Sequence, residues 1–243
     1  MKRFWDLAVV APMDDGLAVL LDGKPVRLPS GTVLRVREVR LAQALAGEWT
    51  AAGGAKGGDF TADDIALTRL VGTAQERIAP DIEPVVEGLA QYGGSDLLCY
   101  RADDPRLAAL EAAEWDPWLD WARSSLRAEL RRTTGIVHVT QPPEVMAALR
   151  DAVAAHEPME LAALGVAVPA LGSLVLGLAL VRGALDAAEA HRLATLDECW
   201  QEDFWGADPE AVNRRRGIAA DIALAARFVQ ELRGEVADHH RPA

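Results

Sequence analysis

Residues 171–206, LGSLVLGLALVRGALDAAEAHRLATLDECWQEDFWG, join the most apolar run of the chain to its densest cluster of carboxylates and tryptophans. Residues 171–181 are almost wholly apolar, but a run of this length makes only roughly 16 Å of helix, about half a bilayer core. It reads as a buried core helix. Gly183 loosens the run, and Asp186 with Glu189 has the Asp-x-x-Glu spacing of a capping box. A second helix is therefore expected from Ala187 to Trp205, with Gly206 as its stop. Projected at about 100° per residue, Leu193, Leu196, Trp200 and Phe204 share one stripe of that helix, and Asp197 falls on it. Glu198 and Glu202 project to the opposite, solvated side. A lone carboxylate against Leu, Trp and Phe is costly, so Asp197 must be paired with an arginine, protonated, or left open for a partner.

The chain has 243 residues, half of them hydrophobic, enough for one large core or two modest ones. Its formal charge of −12 opposes binding to a phosphate backbone or an anionic membrane. Cys99 and Cys199 show no metal or redox spacing and are expected to be reduced and buried. Asp6 interrupts any leader-like apolar stretch, and no segment reaches membrane-spanning length. A protein of the bacterial cytoplasm or an organelle interior is expected.

Working outward, Phe4 to Val36 alternates short apolar runs with turn chemistry at Asp14-Asp15-Gly16, Asp22-Gly23 and Pro29-Ser30-Gly31, the pattern of an antiparallel meander. Arg37 to Ala52 reads as a helix. Gly53 to Asp59, GGAKGGD, lacks the Ser or Thr after Lys56 that a phosphate loop needs and reads as a plain linker. Thr61 and Asp64 cap a helix with Leu67, Val71, Ala74 and Ile78 on one face and Arg69 on another. Further helices are expected from Pro84 to Tyr92, and after Asp104-Pro105, Asp116-Pro117 and Asp208-Pro209, each an N-cap followed by proline. Residues 135–140, GIVHVT, alternate like a strand returning to the N-terminal sheet. The last helix places Ile218, Ile222, Ala225, Val229 and Leu232 on one face, and Arg214 to Arg216 either meet solvent or neutralise the acidic helix before them. His239 and His240 lie in a polar tail. The expected class is α+β, a β-rich N-terminal domain over residues 1–60 and a mostly helical domain over residues 61–243.

No nucleophile with a base and no metal set stands out. Helical projection spreads the carboxylates of residues 197–203 around the rod. A binding protein fits better than an enzyme, and no cofactor is expected. The competing reading is a hydrolase or isomerase of a small ligand with its site between two domains. A weaker third is a homo-oligomeric scaffold.

Several strings taken in order resemble one family. They are Arg3-Phe4-Trp5, LDGKPVRLPSG at 21–31, Glu48-Trp49, LTRL at 67–70, SDLLCYRA at 95–102, WDPWLDW at 115–121, GSLVLGLAL at 172–180 and LDECWQEDFWG at 196–206. The chain is similar in these to the Atp twelve family, the assembly chaperones of the ATP synthase catalytic head. The resemblance implies a β-rich N-terminal domain and a helical C-terminal domain, without catalysis or cofactor, that hold the unassembled alpha subunit until the beta subunit replaces it; a monomer is expected. It carries the family's acidic position onto Asp197, with Glu198 beside it. The expected partner-binding residues are Asp197, Glu198, Trp200, Glu202 and Arg69. Gly72 and Gln75 depart from the Asn and Leu usual in the family, which bears on the polar contacts of their helix. The alternative for Asp197 is an internal pair with Arg69, Arg77, Arg182 or Arg215.

Overall fold

A computed structural model describes residues 1–206 and 208–234, so His239 and His240 lie outside the described residues. The chain forms two compact units, Met1–Asp81 with residues 227–234, and Ile82–Ala226. The first unit thus runs past the boundary expected at residue 60.

In the first unit β1 (Ala8–Met13), β2 (Gly16–Leu21), β3 (Lys24–Pro25) and β4 (Arg35–Val36) form the antiparallel sheet, with β2 pairing to the other three. Ala8 lies opposite Leu21 and Leu17 opposite Val36. The Asp22-Gly23 turn takes φ of 48° and 80°, the left-handed pair a two-residue hairpin needs. Helix α1 (Val39–Ala51) packs Leu41, Ala42 and Leu45 against β1 and β2. Behind it Trp5, Trp49 and Phe60 meet edge to face, with centroids 5.1 to 6.0 Å apart. Each indole finds an acceptor, Trp5 in the Trp49 carbonyl at 2.9 Å and Trp49 in the Thr68 hydroxyl at 3.1 Å.

Residues 53–59 are not a linker. The buried Arg3 guanidinium donates to the carbonyls of Thr50 (2.7 Å), Gly54 (2.9 Å) and Ala52 (3.2 Å), and the Arg3 backbone bonds Gly57 and Gly58. A guanidinium taken out of water needs acceptors for its N–H groups, and these carbonyls supply them. The glycine-rich stretch is therefore a folded turn wrapped on the chain's own third residue.

Helix α2 (Ala66–Thr73) follows the Thr61 and Asp64 box, where the Thr61 amide donates to Asp64 at 2.7 Å. Its own first turn is capped from outside. The Glu48 carboxylate accepts from the Leu67 amide (2.6 Å), the Thr68 amide (2.9 Å) and the Thr68 hydroxyl (3.0 Å). Burial pushes the Glu48 carboxyl up, against the pull of these donors. Leu67, Val71, Ala74 and Ile78 are all buried, the last two through a wide π turn over Ala74–Ile78. Gly72 and Gln75, which depart from the pattern the sequence resembles, each have a local contact. A side chain at Gly72 would bring its Cβ to 3.0 Å from Leu28, and Gln75 ties the helix to the sheet, donating to the Val33 carbonyl at 2.9 Å and accepting from the Arg35 amide at 3.2 Å.

The second unit is helical: α3 (Glu83–Ala90), α4 (Pro105–Trp121), α5 (Pro143–Ala154), α6 (Pro158–Leu171), α7 (Leu174–Val181), α8 (Ala187–Ala194), α9 (Leu196–Trp205) and the first part of α10 (Pro209–Arg233). Residues 171–181 are not one helix. Gly172 at φ 61° ends α6, and Ser173 caps α7 by accepting from the Leu176 amide at 3.1 Å. Every residue of α7 is buried, as its composition demands. Under its first turn lies Asp96, fully buried, accepting from the Ser173 hydroxyl (2.7 Å) and the Val175 (3.0 Å) and Leu98 (3.1 Å) amides. Burial pushes this carboxyl up as well.

Two local expectations fail here. Asp116-Pro117 starts no helix, because α4 runs straight through it. The Asp116 carboxylate is drawn away to Arg101 (2.5 Å) and Arg132 (2.6 Å), and Ala113, whose carbonyl loses its donor at Pro117, is exposed to water. Residues 135–140 join no N-terminal strand. Only β6 (Thr133–Thr134) is paired, parallel to β5 (Tyr100–Arg101) in the helical unit, and Ile136 beyond it is 99% exposed. Among the described residues the His138 ring meets the Tyr100 hydroxyl alone, at 3.3 Å. Asp104 and Asp208 do cap, accepting from the Arg106 amide at 2.8 Å and the Glu210 amide at 3.1 Å.

Candidate functional site

Helix α8 opens as its spacing predicts, with Asp186 accepting from the Glu189 amide at 2.8 Å. It closes at Ala194. The Thr195 hydroxyl turns back to the His191 carbonyl at 2.8 Å, and Thr195 leaves helical angles at φ −112°, ψ 11°. The single helix expected to Trp205 is thus two. The stripe keeps its order but not its burial: Leu193 and Leu196 are buried, Trp200 is half-buried, Phe204 is 57% exposed and Trp205 86%. The Trp200 and Phe204 rings lie 4.5 Å apart, so the apolar face of α9 is a paired aromatic surface left open at its C-terminal end.

Asp197 stands on that face, half-buried, accepting from the Gln201 side-chain amide at 2.7 Å. Among the described residues it makes no ion pair, so none of the four arginines considered as internal partners takes it. Its charged neighbour on α4 is another acid. Burial pushes the Glu111 carboxyl up, the Ala102 amide (2.7 Å) and Arg101 pull it down, and Asp197 adds a like charge that pushes it up.

Glu198 and Glu202 do not simply face solvent. Arg215 from α10, its side chain 11% exposed, bridges them at 3.4 Å and 2.6 Å, and Arg214 reaches Glu198 at 3.2 Å. The His191 ring donates to the Arg215 carbonyl at 3.2 Å, so α8, α9 and α10 converge on one residue. Arg214 and Arg215 therefore neutralise the acidic helix, while Arg216 is exposed and donates to the Asn213 side chain at 3.1 Å, so the triple divides between the two roles open to it. Asp203 is exposed.

Arg69 belongs to the other unit, exposed on α2 and paired with the exposed Asp63 at 3.3 Å. In the WDPWLDW run Trp115 is buried, donating to the Leu193 carbonyl at 3.1 Å beneath the Arg101 guanidinium, while Trp118 and Trp121 are half-buried. Cys99 is buried and its thiol is pushed up to about 12, chiefly by burial, whereas Cys199 is exposed, against expectation. Among the described residues no group of three or more His, Cys, Asp or Glu side chains is placed to hold a metal. Sequence reading missed Asp96, Glu48 and the part played by Gln201. Its signal for Gln201 was the four-residue spacing from Asp197, which puts both on adjacent turns of one face.

A family model described as ATP12 chaperone protein matches residues 2–123. The crystal structure of Atp12 from Paracoccus denitrificans superposes with a TM-score of 0.88 at 40% identity, covering 95% of this chain and 98% of that one. A mutant of the P. denitrificans Atp12p gives the same TM-score and identity over 95% and 97% of the two chains. A protein of Agrobacterium tumefaciens follows at 39% identity and a TM-score of 0.85, covering 95% of this chain and 85% of that one. With half the chain under the family model and nearly all of it shared with solved relatives, the chain belongs to the ATP12 chaperone family.

Proposed function

We propose that the chain does its work as an assembly chaperone of the ATP synthase catalytic head by docking the unassembled alpha subunit on the face of α9 that carries Asp197. Family membership supplies the client and the non-catalytic role. A subunit destined for a ring exposes apolar surface that would self-associate while it waits. Its holder needs an apolar patch to cover that surface and charges to set orientation while keeping release possible. Trp200 with Phe204 is the patch, Asp197 the charge that meets the client, and Glu198 with Glu202 the anchored acids that fix the helix. Arg69, exposed on the first unit, is a second contact. The chaperone acts as a monomer in the cytoplasm of a bacterium, and its client leaves when the beta subunit takes over the same surface.

The observation that carries this reading is Asp197 itself, a half-buried carboxylate on the helical stripe of Trp200 and Phe204 that, among the described residues, accepts from the Gln201 amide and makes no ion pair. The test is Asp197→Asn, which keeps the shape and the Gln201 contact but removes the charge. Affinity for purified alpha subunit is expected to fall about tenfold, which corresponds to about 1.4 kcal/mol, with the melting temperature nearly unchanged. A large drop in melting temperature with client affinity retained would return Asp197 to a purely internal role.

A further inference from the structure

We infer that the client group received at Asp197 is the guanidinium of an arginine, and that Asp197, Gln201 and the Trp200–Phe204 pair together form its receptor. This rests on the docking face proposed above and says what that face selects. Four carboxylates crowd α9, but Arg215 and Arg214 already hold Glu198 and Glu202, so these offer little unmatched charge to a visitor. Of the two acids left, Asp203 projects about 120° away from Asp197 at helical spacing and stands in solvent. Asp197 alone joins unpaired charge to partial burial and an aromatic neighbour.

Its acceptors are arranged for a fork. Gln201 donates its Nε2 to Asp197 Oδ1, which leaves Asp197 Oδ2 and the Gln201 carbonyl Oε1 as two oxygens on successive turns of one face. An arginine presents several N–H donors in a plane and can address both, while an ammonium is a point charge. Trp200 follows Asp197 by three positions and Phe204 by seven, so the tilted ring pair shares the helical stripe of the acceptors. A weakly hydrated, planar cation can lie on such a ring as it reaches the carboxylate, whereas a lysine must shed a tighter hydration shell to do so. Glu111 on α4 adds a like charge felt by Asp197, balanced in part by Arg101.

The experiment uses the full chain and two probes at matched ionic strength, N-acetyl-argininamide and N-acetyl-lysinamide. The Trp200 indole resonance, assigned with Trp200→Phe, is followed by NMR during each titration. Each compound is then used to compete with alpha subunit for the chaperone. The argininamide is expected to shift the Trp200 signal saturably and to compete about threefold or more better than the lysinamide, a margin in the range of one added hydrogen bond plus ring stacking. Asp197→Asn should abolish the response to both probes. Gln201→Leu, at an exposed position, should erase the preference and leave the lysinamide response intact. Equal responses to the two probes in a chain that still binds alpha subunit overturn the guanidinium assignment alone. Failure to bind alpha subunit at all, with the chain folded, overturns the docking face and this inference with it.

Discussion

Replacing Asp96 by alanine tests the central assertion about how the apolar segment is held. The carboxylate is fully buried and takes three donors, the Ser173 hydroxyl and the Val175 and Leu98 amides. In the alanine variant the hydroxyl can turn elsewhere, but the two amides stay at a dry helix start with no acceptor. At about 1–3 kcal/mol for each unpaired buried donor, and with some relief from removing a buried acid, the net loss is about 3 kcal/mol. For a chain of this size that is a drop of about 6–12 °C in melting temperature. Asp96→Asn keeps one acceptor oxygen and should lose about half as much. The pH dependence has a definite sign. Burial raises the Asp96 carboxyl above its ordinary 3.8, so the stability its protonation contributes is fully present below that value and is lost as pH rises through the raised one. The gap between wild type and Asp96→Asn should therefore widen as pH falls toward 3.8 and stay constant below it. Urea unfolding followed by tryptophan fluorescence across this range measures both. An alanine variant within about 1 kcal/mol of wild type, or a gap indifferent to pH, would refute the reasoning.

Arg215→Gln frees Glu198 and Glu202 from their shared cation. It should cost about 1–2 kcal/mol after allowing for solvent at the partly exposed carboxylates, and make the rate of alpha-subunit association fall more steeply with salt, read by stopped-flow mixing. Gly177→Ala places a methyl 2.5 Å from the Val168 side chain, where α6 and α7 are in contact. Overpacking of about 1–3 kcal/mol is expected in thermal unfolding, with alpha-subunit affinity unchanged in the fraction that remains folded.

The parts of the fold that were legible in sequence are those where local chemistry leaves little choice. Asp22-Gly23, Asp186 with Glu189, and Asp104-Pro105 each place a turn or a helix start, and each does so in the structure. Asp116-Pro117 carries the same dipeptide and misleads, because two arginines distant in sequence, Arg101 and Arg132, take the carboxylate that would have capped. The glycine-rich stretch after α1 misleads in the same way. Its composition suggests slack, and only the contact with Arg3, some fifty residues earlier, makes it a fixed turn. At the candidate site the period of the helix picked out Asp197 and its aromatic neighbours. It could not show the break at Thr195, where the backbone leaves helical angles. Nor could it show which acids Arg215 neutralises, since that is settled by how α10 lies against α9. Long-range partners of charged groups are the common element in what stayed hidden.

The N-terminal unit includes the last described turns of α10, where Phe228 and Val229 are buried and Arg40 reaches Glu231 at 3.4 Å and the Gly234 carbonyl at 3.2 Å. Synthesis runs the other way. The first eighty residues leave the ribosome long before the segment that finishes them, so during translation the leading unit waits without the last turns that belong to it. A nascent chain cut short after residue 226 would lack a piece of its beginning as well as its end. A protein that shelters another unfinished subunit is thus itself unfinished until residues 227–234 have been made.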